Sequence, residues 1–188
     1  RLIRLFKYLY RETDEDHPVT TNELVEIFTE ANANAARKTV KDDIDVLVEE
    51  GYDIVTIKSY YNAFFMASRE FELPELKLLV DSVQSSKFIT HKKTATLIKK
   101  IETLASIHEA QLLNRQVYVK NRIKTMNESI YYNIDAIQSG ISQNKKIQFK
   151  YFEYTVQKTR HYRKDGAFYV VSPFAMTWDD ENYEKSID

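Results

Sequence analysis

Apolar residues recur at helical spacing through the first part of the chain and then give way to two short runs with no helical period. That switch is the strongest constraint on the fold. Leu2, Leu5, Phe6 and Leu9 form one stripe over residues 2–12, with charges opposite. The polar segment Thr13-Asp14-Glu15-Asp16-His17-Pro18 ends in proline and stops that helix. Thr20 is followed by Glu23, the spacing of a capping box, and Leu24, Val25, Ile27 and Phe28 give the second helix its apolar face. Asn32-Ala33-Asn34 reads as a turn. A third helix is predicted from about Ala35 to Glu50, burying Val40, Ile44, Leu47 and Val48, with Gly51 where a C-terminal cap belongs. Ile54-Val55-Thr56-Ile57 and Ala63-Phe64-Phe65-Met66 then flank Lys58-Ser59-Tyr60-Tyr61-Asn62, which predicts a hairpin with a polar, aromatic tip.

Three helices and a hairpin in this order are the elements of a winged helix-turn-helix. The next segment is helical. Pro74 stands at a helix start, followed by the stripe Leu76, Leu79, Val80 and Val83. A further helix is expected from about His91 to Ile107, burying Leu97, Ile98, Ile101 and Leu104. After an irregular stretch around Tyr118, Ile130, Ile134, Ile137 and Ile141 form a narrow seam suited to another helix, in the same chain or in a second copy. From Asn144 the period becomes two: Ile147, Phe149 and Tyr151 alternate with Lys146, Gln148 and Lys150. Lys164-Asp165-Gly166 reads as a hairpin turn, Phe168–Val171 as its return strand, and Phe174–Trp178 as a strand resuming after Pro173. The expected class is α+β: a winged helix-turn-helix at 1–70, a helical connector and candidate dimerisation region at 71–143, and the start of a small SH3/Sm-like β-barrel at 144–188.

Composition removes several classes of function. Without cysteine there is no disulfide, thiolate metal site or cysteine nucleophile. Three glycines leave no room for a phosphate-cradling loop. His17, His91, His108 and His161 lack metal-ligand spacing, and Asp42, Asp43 and Asp45 do not share one helix face. No nucleophile elbow or dinucleotide fingerprint occurs. The expectation is a protein that is not an enzyme and uses no metal or cofactor. A net charge of −1 gives no global pull toward a polyanion, so nucleic-acid binding requires a local cluster of cations. No apolar run approaches the roughly 20 residues of a membrane span, and the start lacks a secretory pattern, so a cytoplasmic location is expected. The absence of a starting Met and the unclosed set of strands predict a longer natural chain.

Residues Leu2 to Met66, through Ala36-Arg37-Lys38-Thr39-Val40-Lys41-Asp42-Asp43-Ile44-Asp45-Val46-Leu47, resemble the helix-turn-helix of DeoR-like regulators. Asn144-Lys145-Lys146-Ile147-Gln148-Phe149-Lys150-Tyr151, Val171-Ser172-Pro173-Phe174-Ala175-Met176-Thr177-Trp178 and Glu181-Asn182-Tyr183 resemble the first half of a WYL domain. Asp43 matches the family aspartate, whereas Asp42 stands where the family pattern has arginine. After Tyr183 the chain departs from the family, reading Glu184-Lys185-Ser186-Ile187-Asp188. The resemblance implies a transcriptional regulator with a ligand-sensing module.

In a helix-turn-helix the second helix of the pair enters the major groove by its N-terminal residues. The expected DNA contacts are therefore Arg37, Lys38, Thr39 and Lys41, with Lys58, Tyr60, Tyr61 and Asn62 from the hairpin tip. The interleaved Asp42 and Asp45 would repel phosphates. For the sensing module the resemblance carries over Tyr151, Trp178 and Tyr183, while Arg160 and Arg163 are candidates by chemistry alone. Strand alternation places those two arginines on opposite faces. Rings beside guanidinium groups suit an anionic effector, a nucleotide or short single-stranded nucleic acid. The competing reading, that the aromatics fill a small barrel, is favoured for Trp178 and Phe149. The expected partners are a double-stranded operator and a second copy of the chain. The alternative function is a protein–protein interaction module whose winged helix does not bind DNA.

Overall fold

In a computed structural model, the chain is a mixture of helices and small antiparallel sheets, an α+β protein. The structure describes residues 1–30, 36–113, 124–179 and 182–187, with side chains as far as residue 177. The turn expected at 32–34 and the irregular stretch around Tyr118 lie outside the described residues. Two compact units are present: Arg1–Ser85 with Thr94–Lys120, and Ser86–Lys93 with Asn121–Asp188. No helix among the described residues is long and apolar enough to cross a membrane.

The first unit opens with α1 (Leu2–Glu12), β1 (Val19–Thr20), α2 (Thr21–Glu30), α3 (Arg37–Glu49), β2 (Ile54–Ile57) and β3 (Ala63–Met66). Leu5 and Leu9 of α1, Leu24 and Phe28 of α2, and Val40, Ile44 and Leu47 of α3 close on Ile54, Phe64 and Met66 to make one core. Each fully buried Leu or Ile contributes about 1.5–3 kcal/mol relative to exposure. Val48, expected in that core, is exposed instead, because the three buried positions of α3 already fill its inner face.

The predicted capping box is formed. Thr20 donates to Glu23 through its backbone N and its hydroxyl, both at 2.7 Å, and the Glu23 N donates back to the Thr20 hydroxyl at 3.3 Å. These bonds from Thr20 hold the Glu23 carboxyl below its ordinary pKa. Gly51 ends α3 with φ +93°: Tyr52 N donates to Leu47 O and Gly51 N to Val48 O, the paired bonds of a Schellman turn.

The hairpin β2–β3 has the expected limits, and β1 adds to its other side in the order β1-β3-β2, pairing Val19 with Phe64 and Thr20 with Ala63. A strand of two residues carries no alternation of its own, so only its partner reveals it.

Helix α1 has no glycine cap. Side chains reach several of the carbonyls at its end instead. The Thr13 hydroxyl donates to Leu9 O at 2.6 Å and in turn accepts from Met66 N. The Arg69 guanidinium donates to Tyr10 O at 3.0 Å and to Thr13 O at 2.6 Å, and the His108 ring lies 3.3 Å from Glu12 O.

The unit continues with α4 (Leu73–Ser85), α5 (His91–Glu102) from Thr94 onward, and α6 (Ile107–Leu113). Leu76, Val80, Ala105 and Leu113 form a second core, flanked by Ile98, Ile101 and Leu104. Leu79, expected inside, is exposed. The helix predicted to run to Ile107 stops at Glu102. Ser106 then starts α6 through a second capping box, with Ser106 N donating to Glu109 at 3.2 Å and Glu109 N to the Ser106 hydroxyl at 3.0 Å.

Among its described residues the second unit contains α7 (Ser129–Ser142) and six strands: β4 (Ile147–Phe149), β5 (Phe152–Tyr154), β6 (Arg160–Tyr162), β7 (Tyr169–Val171), β8 (Pro173–Asp179) and β9 (Asn182–Ile187). They pair as three antiparallel ribbons, β4–β7, β5–β6 and β8–β9, and no closed barrel joins them among the described residues. Residues 86–93 join this unit through Thr125 N to Lys87 O at 2.9 Å and Lys124 Nζ to Ser86 O at 3.2 Å. The isoleucine seam of α7 is half-buried, and α7 packs on β8. Gly140 is the close point: a Cβ there would stand 2.8 Å from Ile147 Cγ2.

The turn read at Lys164-Asp165-Gly166 is not the tip of a hairpin. It is a left-handed corner, with positive φ at all three residues, that carries the chain from β6 in one ribbon to β7 in another. The hairpin tip is at Thr155–Thr159, where Thr155 N donates to Thr159 O and Lys158 adopts φ +59°.

Candidate nucleic-acid interface

The first turn of α3 presents cations where a helix ordinarily favours anions. Ala36 is the N-cap and its side chain cannot cap; Arg37, Lys38 and Thr39 follow, with no acid in that turn. The free backbone N–H groups and the positive end of the helix dipole add to the two side-chain charges. Arg37, Lys38 and Lys41 are exposed, Thr39 is half-buried, and no ion pair engages the three cations among the described residues.

Acids share the same helix. Asp43 is turned aside and bound by Arg1, whose Nε and Nη2 lie 2.5 and 2.9 Å from its two oxygens. This bidentate bond raises the Arg1 pKa above its ordinary value. Asp42 and Asp45 remain exposed, four residues beyond Lys38 and Lys41 respectively. A cation placed N-terminal to an acid is the weaker order for such a pair.

The hairpin tip is ordered by its own contacts. The Ser59 hydroxyl donates to Tyr61 O, and Tyr60 and Tyr61 meet edge to face at 4.7 Å. Tyr60 is 91% exposed, and Lys58 and Tyr61 are exposed beside it. Asn62 is half-buried; its carbonyl accepts from the Thr21 N at 3.0 Å and the Thr21 hydroxyl at 3.1 Å, tying the hairpin to the start of α2. Both sets of expected DNA contacts thus stand on one packed unit.

In the second unit the two candidate arginines go to separate partners. Arg160 lies 4.7 Å over Phe152, and its pKa is raised by hydrogen bonding first to Tyr154 and then to Tyr162. Arg163 pairs with Glu153, which raises its pKa, and lies 4.9 Å over Tyr151. They do not converge: β6 ends at Tyr162, and Arg163 begins the corner that follows it. Trp178 and Tyr183 are register partners across β8–β9, a different ribbon; their side chains lie outside the described set.

Two cations escaped the sequence reading. Lys150 lies 4.9 Å from the Phe168 ring, and Lys164 lies 4.3 Å from that of Tyr169. Their signal was present in the run Lys145, Lys146, Lys150, Lys158, Arg160, Arg163, Lys164, interrupted by Glu153 alone among acids.

A groove between α1 and α3 is lined by Leu2, Ile3, Phe6, Val46, Leu47 and Tyr52, with Ile3 71% exposed at its edge. No protein-family model, no curated protein and no solved structure matches the chain.

Proposed function

We propose that the chain is a sequence-specific DNA-binding transcriptional regulator. In this reading α2, α3 and the β2–β3 hairpin act as a winged helix-turn-helix, and the ribbons of the second unit act as a WYL-type sensing module, the opening part of an SH3/Sm-like barrel. The observation that carries it is the first turn of α3: Arg37 and Lys38, with Lys41 one turn on, are exposed on a helix whose opposite face is locked into a core, while Asp43 is neutralised by Arg1. Phosphates would meet the cations and the free backbone N–H groups together. The exposed Tyr60 and Lys58 would extend the contact from the hairpin. An anionic effector, a nucleotide or short single-stranded nucleic acid, suits the exposed cations and rings of residues 150–169. Two copies on a two-fold symmetric operator would set their α3 helices about 34 Å apart or a multiple of it.

Selection of bound sequences from a random DNA pool, followed by fluorescence anisotropy at several salt concentrations, tests the reading. Replacing Arg37, Lys38 and Lys41 together by Ala should reduce the salt slope by about 2–3. No enriched sequence, or an unchanged slope in the triple variant, would refute it.

The α1–α3 groove supports a second reading, a protein-docking module. If Ile3→Glu abolishes a protein complex while DNA binding is undetectable in the unmodified chain, that reading prevails.

A further inference from the structure

The groove between α1 and α3 has an apolar floor and rims of opposite charge. Phe6 and Tyr52 meet in it with ring centroids 4.5 Å apart. Ile3, Val46 and Tyr52 stand exposed along it. One exposed apolar side chain needs no explanation, but these three border a single depression of about 350 Å³. On α1, Lys7 lies one helical turn beyond Ile3. On α3, Glu49 and Glu50 lie three and four residues beyond Val46. All three charges are exposed, and no ion pair engages them among the described residues. The patch therefore holds a knob (Ile3), a hole, a cationic rim and an anionic rim. That set is complementary to itself under a two-fold rotation, the requirement for an isologous contact.

We infer that this groove is the contact surface between two copies of the chain, with α1 of each copy seated on α3 of the other. Ile3 enters the groove of the second copy, and Lys7 meets Glu50 of the second copy; the symmetry repeats both contacts. The other two-fold arrangement, α1 on α1 and α3 on α3, opposes Lys7 to Lys7 and Glu50 to Glu50, and like charges across an interface disfavour it. An unrelated protein would not require the groove's own two rims to match each other. Seven residues line the groove, against about 20–30 a side in a stable interface, so the dimer is expected to be weak, with a Kd of about 10–100 μM. The inference rests on reading the groove as a docking surface and names its occupant; it does not depend on DNA binding.

Sedimentation equilibrium on the full chain without DNA, from about 5 to about 500 μM, tests it across the expected Kd. The unmodified chain should show a monomer–dimer equilibrium. Ile3→Glu should raise the Kd at least about tenfold, with circular dichroism unchanged because the side chain is 71% exposed. Lys7→Glu and Glu50→Lys should each weaken self-association about threefold to tenfold, since each homodimer then opposes like charges twice. An equimolar mixture of those two variants should dimerise as well as the unmodified chain, because the mixed dimer restores an opposite pair at both contacts. A change of charge inside one folded chain cannot produce that rescue. A monomer at every concentration, a dimer indifferent to Ile3→Glu, or a mixture no better than its separate components overturns the inference. A monomeric chain that loses a complex with another protein through Ile3→Glu would keep the docking reading and sink this one.

Discussion

Replacing Arg69 by Met should destabilise the first unit far more than a typical surface arginine would. The side chain is 5% exposed, donates to Tyr10 O and Thr13 O at 3.0 and 2.6 Å, and pairs with Glu109 at 3.6 Å. A bond from a charged donor is worth about 1.5–3 kcal/mol, and an orphaned buried carbonyl loses that together with its desolvation cost. Two carbonyls are orphaned at the end of α1, which has no glycine turn to take over. Some water will enter the vacated space, so the expected loss is about 2–4 kcal/mol rather than the full sum. With a urea slope of about 2 kcal/mol/M, the midpoint followed by circular dichroism should drop by about 1–2 M. Arg69→Lys keeps the charge but cannot reach both carbonyls with one ammonium, and should fall between. A loss below about 0.5 kcal/mol for the Met variant would show that these carbonyls find partners elsewhere, and would refute the assignment of Arg69 as the cap of α1.

Two further outcomes follow from particular contacts. Gly140→Ala gains about 1 kcal/mol of helix propensity but drives a methyl group into Ile147, so a net loss of about 1 kcal/mol is expected; combined with Ile147→Ala in a double-mutant cycle, the two changes should cost less together than their sum. Asp14, whose folded pKa is lowered, contributes stability above the ordinary carboxylate range of about 4 that is lost as pH falls through its lower folded value; Asp14→Asn should therefore flatten the acid limb of a plot of urea midpoint against pH, and a limb as steep as the unmodified chain's would discount that contribution.

The parts of the fold that were legible in the sequence are those with a period and a cap. Helices α1 to α3 announce themselves by stripes of Leu, Ile and Val, by Thr20 and Glu23, and by Gly51. Their hairpin is bounded by polar residues, and its strands match the structure to the residue. What was missed depends on partners distant in sequence. Strand β1 exists only because β3 lies beside it. Arg69, a lone cation in an apparent linker, becomes a cap only once the chain folds back on α1. Ser106 and Glu109 did carry a capping-box signal, and the apolar row running through Leu104 masked it. In the site, exposure of Arg37, Lys38 and Lys41 follows from helical period alone, whereas the removal of Asp43 by Arg1 is a tertiary event with no local signature.

The second unit is assembled from narrow ribbons rather than one broad sheet, and this sets how it should respond to load. A ribbon of two strands is marginal by itself in water and leaves peptide donors and acceptors along each flank. Cohesion there must come from side chains, including the Phe149–Tyr169 stack and the seat of Gly140 against Ile147 and Pro173. Under mild heat or denaturant this part of the chain is expected to open first, and an added extended segment of suitable register would find a ready-made edge to zip onto.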